Sequence, residues 1–229
     1  MTIDELIERT RTVRRFRQDR SPDRKTLREL VRLACLGGSA RNAQPLRYVI
    51  VTRERLCNRI FPLLGWAGYL SDWPGPAPGE RPQAYIICLL DEERLAGPLT
   101  EACCDLGIAT QNLLLAAASR GIFGCRIGAF SGEIHRLLGL PERLRVLLVV
   151  ALGYPAERVV LEEVGPSGDV RYWRDAQQVH HVPKRRLDDV LVEAPQEPGP
   201  ESRSDGTAHR AGTAHRADNG SSPSERRDR

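Results

Sequence analysis

The chain loses its large apolar residues after Val192, and this change limits where a fold can form. From Glu193 to Arg229 the sequence contains no Val, Ile, Leu, Met, Phe, Trp, Tyr or Cys. Such a segment cannot bury enough apolar surface to offset the entropy lost on ordering, so residues 193–229 are predicted to be a disordered low-complexity tail. The hexapeptide GTAHRA occurs twice in it, which is too little repetition for a solenoid. Residues 1–192 are therefore predicted to form one domain with a sizeable core.

The charge pattern favours a soluble protein. The formal net charge is +4 and the pI is near 8.9, and basic and acidic residues are interspersed along most of the chain, unlike a nucleic-acid-binding arm. The chain starts MTIDELIERT, with acids where a secretory signal carries basic residues. The longest strongly apolar stretch, Val146 to Leu152, is too short to span a bilayer. We expect a cytoplasmic protein that binds neither nucleic acid nor membrane.

Apolar periodicity and cap residues predict alternating helices and strands. Thr2-x-x-Glu5 is a capping box for a first helix, and Ser21-Pro22 is interpreted as the N-cap and first position of a second. Further helices are predicted at Glu54–Leu64, Thr100–Arg120 and Ser131–Leu138. Strands are predicted at Arg47–Thr52, Ala84–Leu90, Ile122–Phe130, Arg145–Leu152, Val159–Glu163 and Val170–Trp173. The segment HHVPKRRLDDVL is interpreted as a closing basic turn. Because no regular crossover separates the strands, the order predicts an α+β fold with a mixed sheet.

The cysteines show no metal-site spacing. The six are Cys35, Cys57, Cys88, Cys103, Cys104 and Cys125. None forms a C-x-x-C pair or a cysteine–histidine spacing suited to zinc. We expect small buried residues in a reducing compartment, with the vicinal Cys103-Cys104 pair as the first candidate for an exception. No metal site is predicted, including at the repeated His209 and His215 of the tail.

Two basic clusters lie near the two ends of the predicted domain. They are Arg11, Arg14 and Arg15, and Lys184, Arg185 and Arg186. Taken alone, each is typical of a solvated surface. Between them lie the polar loop Ser39–Pro45 and a glycine-containing strand that ends at Gly128-Ala129-Phe130. The sequence has no G-x-x-x-x-G-K-[ST], no G-x-G-x-x-G and no nucleophile elbow, which argues against the common nucleotide loops and against a serine hydrolase.

Six motifs in order resemble those of the nitroreductase family of flavoproteins, over about residues 3–192. Arg11-Thr12-Val13-Arg14-Arg15-Phe16 is similar to the family's R-[ST]-x-[RK]-x-F motif, and Ser39-x-x-Asn42-x-Gln44-Pro45 is similar to its P-S-x-x-N-x-Q-P-W loop. The other four are Asp105-x-Gly107-x-Ala109-x-Gln111-Asn112, Gly121 to Phe130, Ala151-Leu152-Gly153-Tyr154-Pro155 and Lys184-x-Arg186-Leu187. The chain departs from the family pattern at Thr10, Gly38 and Leu46, where arginine, proline and tryptophan are usual.

The resemblance implies FMN as cofactor, NADH or NADPH as electron donor, and an intertwined homodimer with FMN at the interface. Arginine forks suit the phosphate dianion of FMN. By this resemblance, Arg11, Thr12, Lys184 and Arg186 would hold the phosphate and ribityl chain, and Arg14 would lie near the pyrimidine edge. Ser39, Asn42 and Gln44 would contact the flavin of the partner subunit, and the backbone of Gly128 and Ala129 would face N5.

The implied activity is the reduction of nitroaromatics, quinones or similar electron-poor small molecules by ping-pong hydride transfer through flavin N5. No protein acid or nucleophile is required, so no catalytic side chain is predicted. Two alternatives stay open: a specialised family member (reductive dehalogenation, flavin destruction or azoline oxidation) and a flavin-binding protein with little turnover. The Gly65–Pro82 loop is expected to shape the substrate pocket. Trp173-Arg174-Asp175 and His180-His181 are interpreted as structural.

Overall fold

A four-stranded antiparallel sheet carries the core. In the computed structural model, which describes residues 2–194, its strands are β1 (Leu46–Val51), β2 (Ala84–Asp91), β3 (Phe123–Ile127) and β4 (Leu144–Gly153). They lie in the order β1-β2-β4-β3, and every neighbouring pair is antiparallel. We call this the main sheet. All eight residues of β2 are buried, because helices and loops cover both faces of the sheet.

The alternation of side chains along β2 divides the core into two layers. Tyr85, Ile87 and Leu89 belong to one cluster, and Ile86 and Cys88 belong to the other, as expected for a strand whose successive side chains point to opposite faces. The helices are α1 (Ile3–Arg9), α2 (Arg24–Ala34), α3 (Glu54–Ile60), α4 (Leu99–Ala118) and α5 (Glu133–Leu137), with short 3₁₀ turns at Ala40–Asn42, Phe61–Leu63 and Glu92–Arg94. Helices α2 and α4 pack on the Ile86 face, and α3 and α5 pack on the Ile87 face.

A second sheet follows β4. Its strands are β5 (Val159–Glu163), β6 (Trp173–Arg174) and β7 (His180–Lys184), in the order β5-β7-β6. Strand β7 pairs in parallel with β5 and antiparallel with β6. We call it the small sheet. The predicted α+β class is confirmed, and within residues 2–194 the only two strands that pair in parallel are β5 and β7 of the small sheet. The basic-turn interpretation is wrong for residues 180–184, because they form a strand that pairs with β5 along its whole length and with β6 at His180 and His181.

The first helix starts as predicted, and the second does not. The Thr2 hydroxyl accepts from the Glu5 N–H at 3.2 Å and the Glu5 carboxylate accepts from the Thr2 N–H at 2.8 Å, which confirms the capping box. The predicted cap at Ser21 is wrong, since α2 begins at Arg24 with Asp23 as its N-cap. The Asp23 carboxylate accepts from the Thr26 N–H at 2.7 Å, and a capping bond of this kind determines where a helix starts.

The cysteine prediction holds for three of the six positions. Cys57, Cys88 and Cys125 are buried, whereas Cys35, Cys103 and Cys104 are exposed. The exposure of Cys35 was not expected. It follows from its place at the C-cap of α2, where the chain leaves the helix.

The chain divides into two units, Met1–Val190 and Leu191–Arg229. Of the second unit only residues 191–194 are described, and they form neither helix nor strand. The predicted tail from residue 195 on, with its repeat, His209 and His215, therefore lies outside the described residues, and the boundary after Val192 stays a prediction. Across residues 2–194, no helix combines the length and apolar character needed to cross a bilayer; the cytoplasmic location stays a prediction.

Candidate functional site

The arginine-rich stretch Arg11–Phe16 lies against the ends of β3 and β4. The Val13 N–H donates to the Gly124 carbonyl at 3.1 Å, and the Ala156 N–H donates to the Arg15 carbonyl at 2.9 Å. Val13 and Phe16 are buried in the core on the Ile87 side of the main sheet. The stretch is thus anchored by its apolar residues and its backbone, and its basic side chains are left for other contacts.

Arg11 has a buried donor without an acceptor. Its Nη2 donates to the Ile7 carbonyl at 2.7 Å, whereas its Nε–H is buried and meets no acceptor among residues 2–194. Burial lowers the pKa of the Arg11 guanidinium. The side chain lines a cleft of about 360 Å³ whose other walls include Val13, Phe123 and Val159. Thr12 is exposed beside it and forms an isolated bridge with Gly124.

Arg14 packs against the small sheet. Its Nη1 lies 3.2 Å from His180 Nε2, and its guanidinium carbon lies 4.7 Å from the centre of the Tyr172 ring. The backbone N–H groups of Arg14 and Arg15 both donate to Glu157 Oε1. The Nε–H of Arg14 is buried without an acceptor in the described part of the chain.

Glu157 is a buried carboxylate that joins the arginine stretch to the small sheet. Its side chain is 1% exposed, and its Oε2 accepts from Arg174 Nη2 at 2.9 Å. Arg174 in turn lies 4.1 Å from the centre of the Trp73 ring, in the Gly65–Pro82 loop. The sequence indicated only a structural role for Arg174 and His180. In the structure, His180 contacts Arg14, a predicted cofactor residue, and Arg174 contacts the Gly65–Pro82 loop, which is expected to shape the substrate pocket.

The Ser39–Gln44 loop is fixed by Asp105 of α4. The Ser39 hydroxyl donates to Asp105 Oδ2 at 2.6 Å and accepts from the Gln44 N–H at 2.9 Å. The Gln44 side-chain amide donates to Asn42 Oδ1 at 3.0 Å. Arg41, Asn42 and Gln44 have φ values of 56°, 52° and 49°, a left-handed conformation that costs free energy in residues other than glycine and is common at functional sites. A cleft of about 330 Å³ borders this loop.

Gly128 and Ala129 follow β3 at an exposed position. The Ala129 carbonyl accepts from the Gly65 N–H at 2.7 Å, which brings the start of the Gly65–Pro82 loop to this strand end. A Cβ built on Gly128 would meet no atom of residues 2–194 within 4 Å. The chain itself therefore leaves open the space in front of Gly128.

Lys184 and Arg186 lie at the far end of β7. Lys184 is exposed, and Arg186 pairs with Glu163 at 3.2 Å. Lys184 lies four positions after His180 along β7, which corresponds to about 13 Å at the usual rise of a strand. Within residues 2–194 no hydrogen bond or ion pair joins Lys184 or Arg186 to Arg11, and none joins the Ser39–Gln44 loop to either. Within residues 2–194 the predicted cofactor residues thus form no single hydrogen-bonded cluster.

Comparison with known proteins places this arrangement in a family. The sequence model described as the nitroreductase family matches residues 7–154. The chain belongs to the nitroreductase family. The match ends one residue after β4, so the small sheet lies outside it.

Relatives and solved structures agree with this membership. A protein of Methanothermobacter thermautotrophicus, provisionally named NADH dehydrogenase/NAD(P)H nitroreductase, is 29% identical over 163 residues, or 69% of this chain and 79% of that protein. The NADPH-flavin oxidoreductase of Vibrio harveyi is 35% identical over 89 residues, or 38% of this chain and 35% of that protein.

Among nitroreductase-family structures, a provisionally named nitroreductase of Desulfovibrio desulfuricans in complex with FMN matches with a TM-score of 0.61 and 22% identity, over 86% of this chain and 99% of that one. A family protein from Clostridium novyi matches with a TM-score of 0.56 and 23% identity, over 68% of this chain and 87% of that one. At these identities the structures support the fold.

Proposed function

We propose that the protein is an FMN-dependent oxidoreductase that uses NADH or NADPH to reduce nitroaromatics, quinones or similar electron-poor small molecules. The buried Nε–H groups of Arg11 and Arg14, which meet no acceptor in the described part of the chain, carry this proposal. Buried donors are usually paired, and FMN offers a phosphate and carbonyl oxygens as acceptors. Family membership, the Vibrio harveyi relative and the FMN complex of the Desulfovibrio desulfuricans protein support the same cofactor.

The side chains fit the two polar ends of FMN. Arg11 and the Thr12 hydroxyl would hold the phosphate end, together with Lys184 and Arg186, because guanidinium forks bind phosphate through paired charged hydrogen bonds. Arg14 would lie near the pyrimidine edge, where a cation stabilises negative charge on the reduced ring. FMN would supply the hydride transfer, in a ping-pong sequence with donor and acceptor in turn. The open backbone at Gly128 and Ala129 would face the reacting edge of the cofactor, because a glycine allows close approach.

We also propose that the protein is an intertwined homodimer. Ser39, Asn42 and Gln44 would then complete the FMN site of the partner subunit, which accounts for their separation from Arg11 within one chain. Exposed apolar side chains support this assembly: Ile7, Leu36 and Ile108 are 47%, 68% and 44% exposed, and Gly37, next to Leu36, packs directly on Ile108. A large exposed apolar patch is typical of an interaction surface.

The test is the absorbance spectrum of the purified full chain, followed by oxidation of NADH and NADPH with menadione or nitrofurazone as acceptor. We expect a yellow protein with a flavin band near about 450 nm, the release of FMN on denaturation, acceptor-dependent turnover and a sedimentation coefficient of a dimer. A colourless protein that does not take up FMN would refute the cofactor. A yellow protein without turnover would favour a flavin-binding protein.

Two arginines test the placement of the phosphate. Arg11→Ala should weaken FMN binding roughly ten- to a hundred-fold, since charged hydrogen bonds are worth about 1.5–3 kcal/mol. Arg17→Ala is the matched control, because Arg17 is exposed and pairs with Asp19, and such surface pairs contribute little. Equal FMN affinities for the two variants, measured by flavin fluorescence titration of apoprotein, would mean that Arg11 is a surface charge.

A further inference from the structure

Arg14 contacts three residues that lie outside the part of the chain that the family model matches. Its contacts to His180, Tyr172 and Glu157 all come from residues that follow position 154. The Tyr172 hydroxyl also accepts from the Tyr69 N–H at 3.3 Å, so the same aromatic ring touches the Gly65–Pro82 loop. The guanidinium of Arg14 therefore lies against His180 of the small sheet and against Tyr172, which directly precedes β6, with Cys125 of β3 beside it.

The chemistry of the Arg14–His180 contact fixes the state of the histidine. Arg14 Nη1 can only donate, so His180 Nε2 must accept, and the imidazole is neutral with its proton on Nδ1. His180 is 1% exposed. Burial, followed by the charges of Arg14 and Arg174, lowers the pKa of His180 to about 4, which keeps Nε2 available as an acceptor at neutral pH.

His180 destabilises the fold in a way that an apolar residue at the same position would not. Its Nδ1–H is buried and finds no acceptor among the described residues, and a buried donor without an acceptor is destabilising. The neighbouring His181 shows the contrast: its side chain lies between Glu162 and Asp175, at 3.1 Å and 3.3 Å. His180 instead accepts a hydrogen bond through Nε2 from Arg14, a predicted cofactor residue.

We propose that His180 is a positioning residue of the flavin site, which orients the Arg14 guanidinium toward the pyrimidine edge of FMN. This proposal rests on the proposed function, since Arg14 has no such task without a flavin. His180 does not touch the cofactor in this assignment. It acts through Arg14, and Tyr172 supports the same guanidinium from the side by stacking.

The test is a double-mutant cycle between His180 and Arg14, read as FMN affinity and as the midpoint potential of the bound flavin. Asparagine is too short to present an oxygen where Nε2 lies, whereas the longer glutamine side chain can do so. We expect His180→Asn to weaken FMN binding roughly 3- to 10-fold, as for one lost hydrogen bond, and to make the potential more negative. His180→Gln should stay within about 2-fold of the parent, and His180→Asn should add no further loss in the Arg14→Ala background.

His181→Ala is the matched control, since it removes a histidine from the same strand and should leave FMN affinity unchanged. Equal losses from His180→Asn in both Arg14 backgrounds would overturn the proposal in favour of a general structural role. The proposal would also be overturned if His180→Asn bound FMN as tightly as the parent while Arg14→Ala bound it weakly. In that case the proposed function would stand. A parent protein that takes up no FMN would instead refute the proposed function itself.

Discussion

The main sheet and the small sheet are held together by different forces. Strand β2 is buried along its whole length and packs apolar side chains into two core layers. The small sheet has exposed apolar residues, such as Leu161 at 42% and Trp173 at 45%. Its side chains form ion pairs and ring contacts, among them the buried Glu157–Arg174 pair and the Trp173–His181 stack at 4.1 Å. The main sheet thus carries the buried apolar core, whereas the small sheet contacts Arg14 of the candidate site through His180.

The largest expected effect tests this division of roles. Ile87→Ala should lower the free energy of unfolding by about 2–5 kcal/mol, because Ile87 is fully buried and its removal leaves a cavity. Leu161→Ala, the counterpart in the small sheet, should cost less than about 1 kcal/mol, because the side chain is 42% exposed. Denaturant unfolding measures both. Equal losses would mean that the small sheet contributes a core of its own.

The second prediction concerns pH and depends on His180 of the small sheet. The pKa of His180 is lowered from 6.5 to about 4 in the folded state, so the unfolded chain binds more protons between these values. The stabilisation is complete above the unfolded pKa and is lost as the pH falls toward 4. The free energy of unfolding should therefore fall by about 2 kcal/mol between pH 7.5 and pH 5 through this residue.

The matched measurement is the same pH series on His180→Gln, which has no imidazole at this position. Burial lowers the pKa of His181, but hydrogen bonds to Asp175 and Glu162 outweigh it and raise the pKa. The effect of His181 on the pH dependence of stability is therefore opposite to that of His180. Because both proteins contain His181, its effect cancels when their stability curves are subtracted. Parallel stability curves for the parent and His180→Gln would contradict a neutral, buried His180.

The smallest expected effect on stability is at Gly128, at the end of the main sheet. A Cβ there would meet no atom of residues 2–194 within 4 Å, so Gly128→Ala should change the free energy of unfolding by less than about 0.5 kcal/mol. It should nevertheless slow turnover, if FMN occupies the open space. Gly124→Ala is the contrast: its Cβ would lie 2.6 Å from the Ala151 carbonyl oxygen, so this variant should unfold more easily. Unchanged turnover for Gly128→Ala would place the cofactor elsewhere.

Much of the main sheet could be predicted because apolar runs are local. The run AYIICLL predicted β2 within one residue of its observed end, and RVLLVVAL predicted β4 in the same way. Strand β7 was missed, because the polar segment HHVPK becomes a strand only through its pairing with β5 and β6. The cap of α2 was misassigned since Ser21-Pro22 and Asp23 both carry N-terminal signals, and the Asp23 carboxylate makes the bond.

The sequence named candidate site residues but could not give the contacts between them. The motif resemblance named Arg14, but nothing in the spacing of the sequence connects it to Glu157 or His180. Those contacts depend on how the chain returns after β4, and that path is set by long-range packing. The assignment of each residue to FMN stays a prediction, which the Arg11 and His180 variants address.

The contacts of Arg14 also determine the order in which the protein can assemble. Arg14 precedes Glu157 by 143 positions and His180 by 166, so a ribosome delivers the arginine stretch long before either partner exists. Contacts this distant in sequence form late, because the loop between them must close first. A chain interrupted before residue 157 contains the residues of all four strands of the main sheet but lacks Glu157, Tyr172 and His180, which contact Arg14. If Arg14 binds FMN as proposed, the site can therefore be completed only after residues 157–180 have been synthesised.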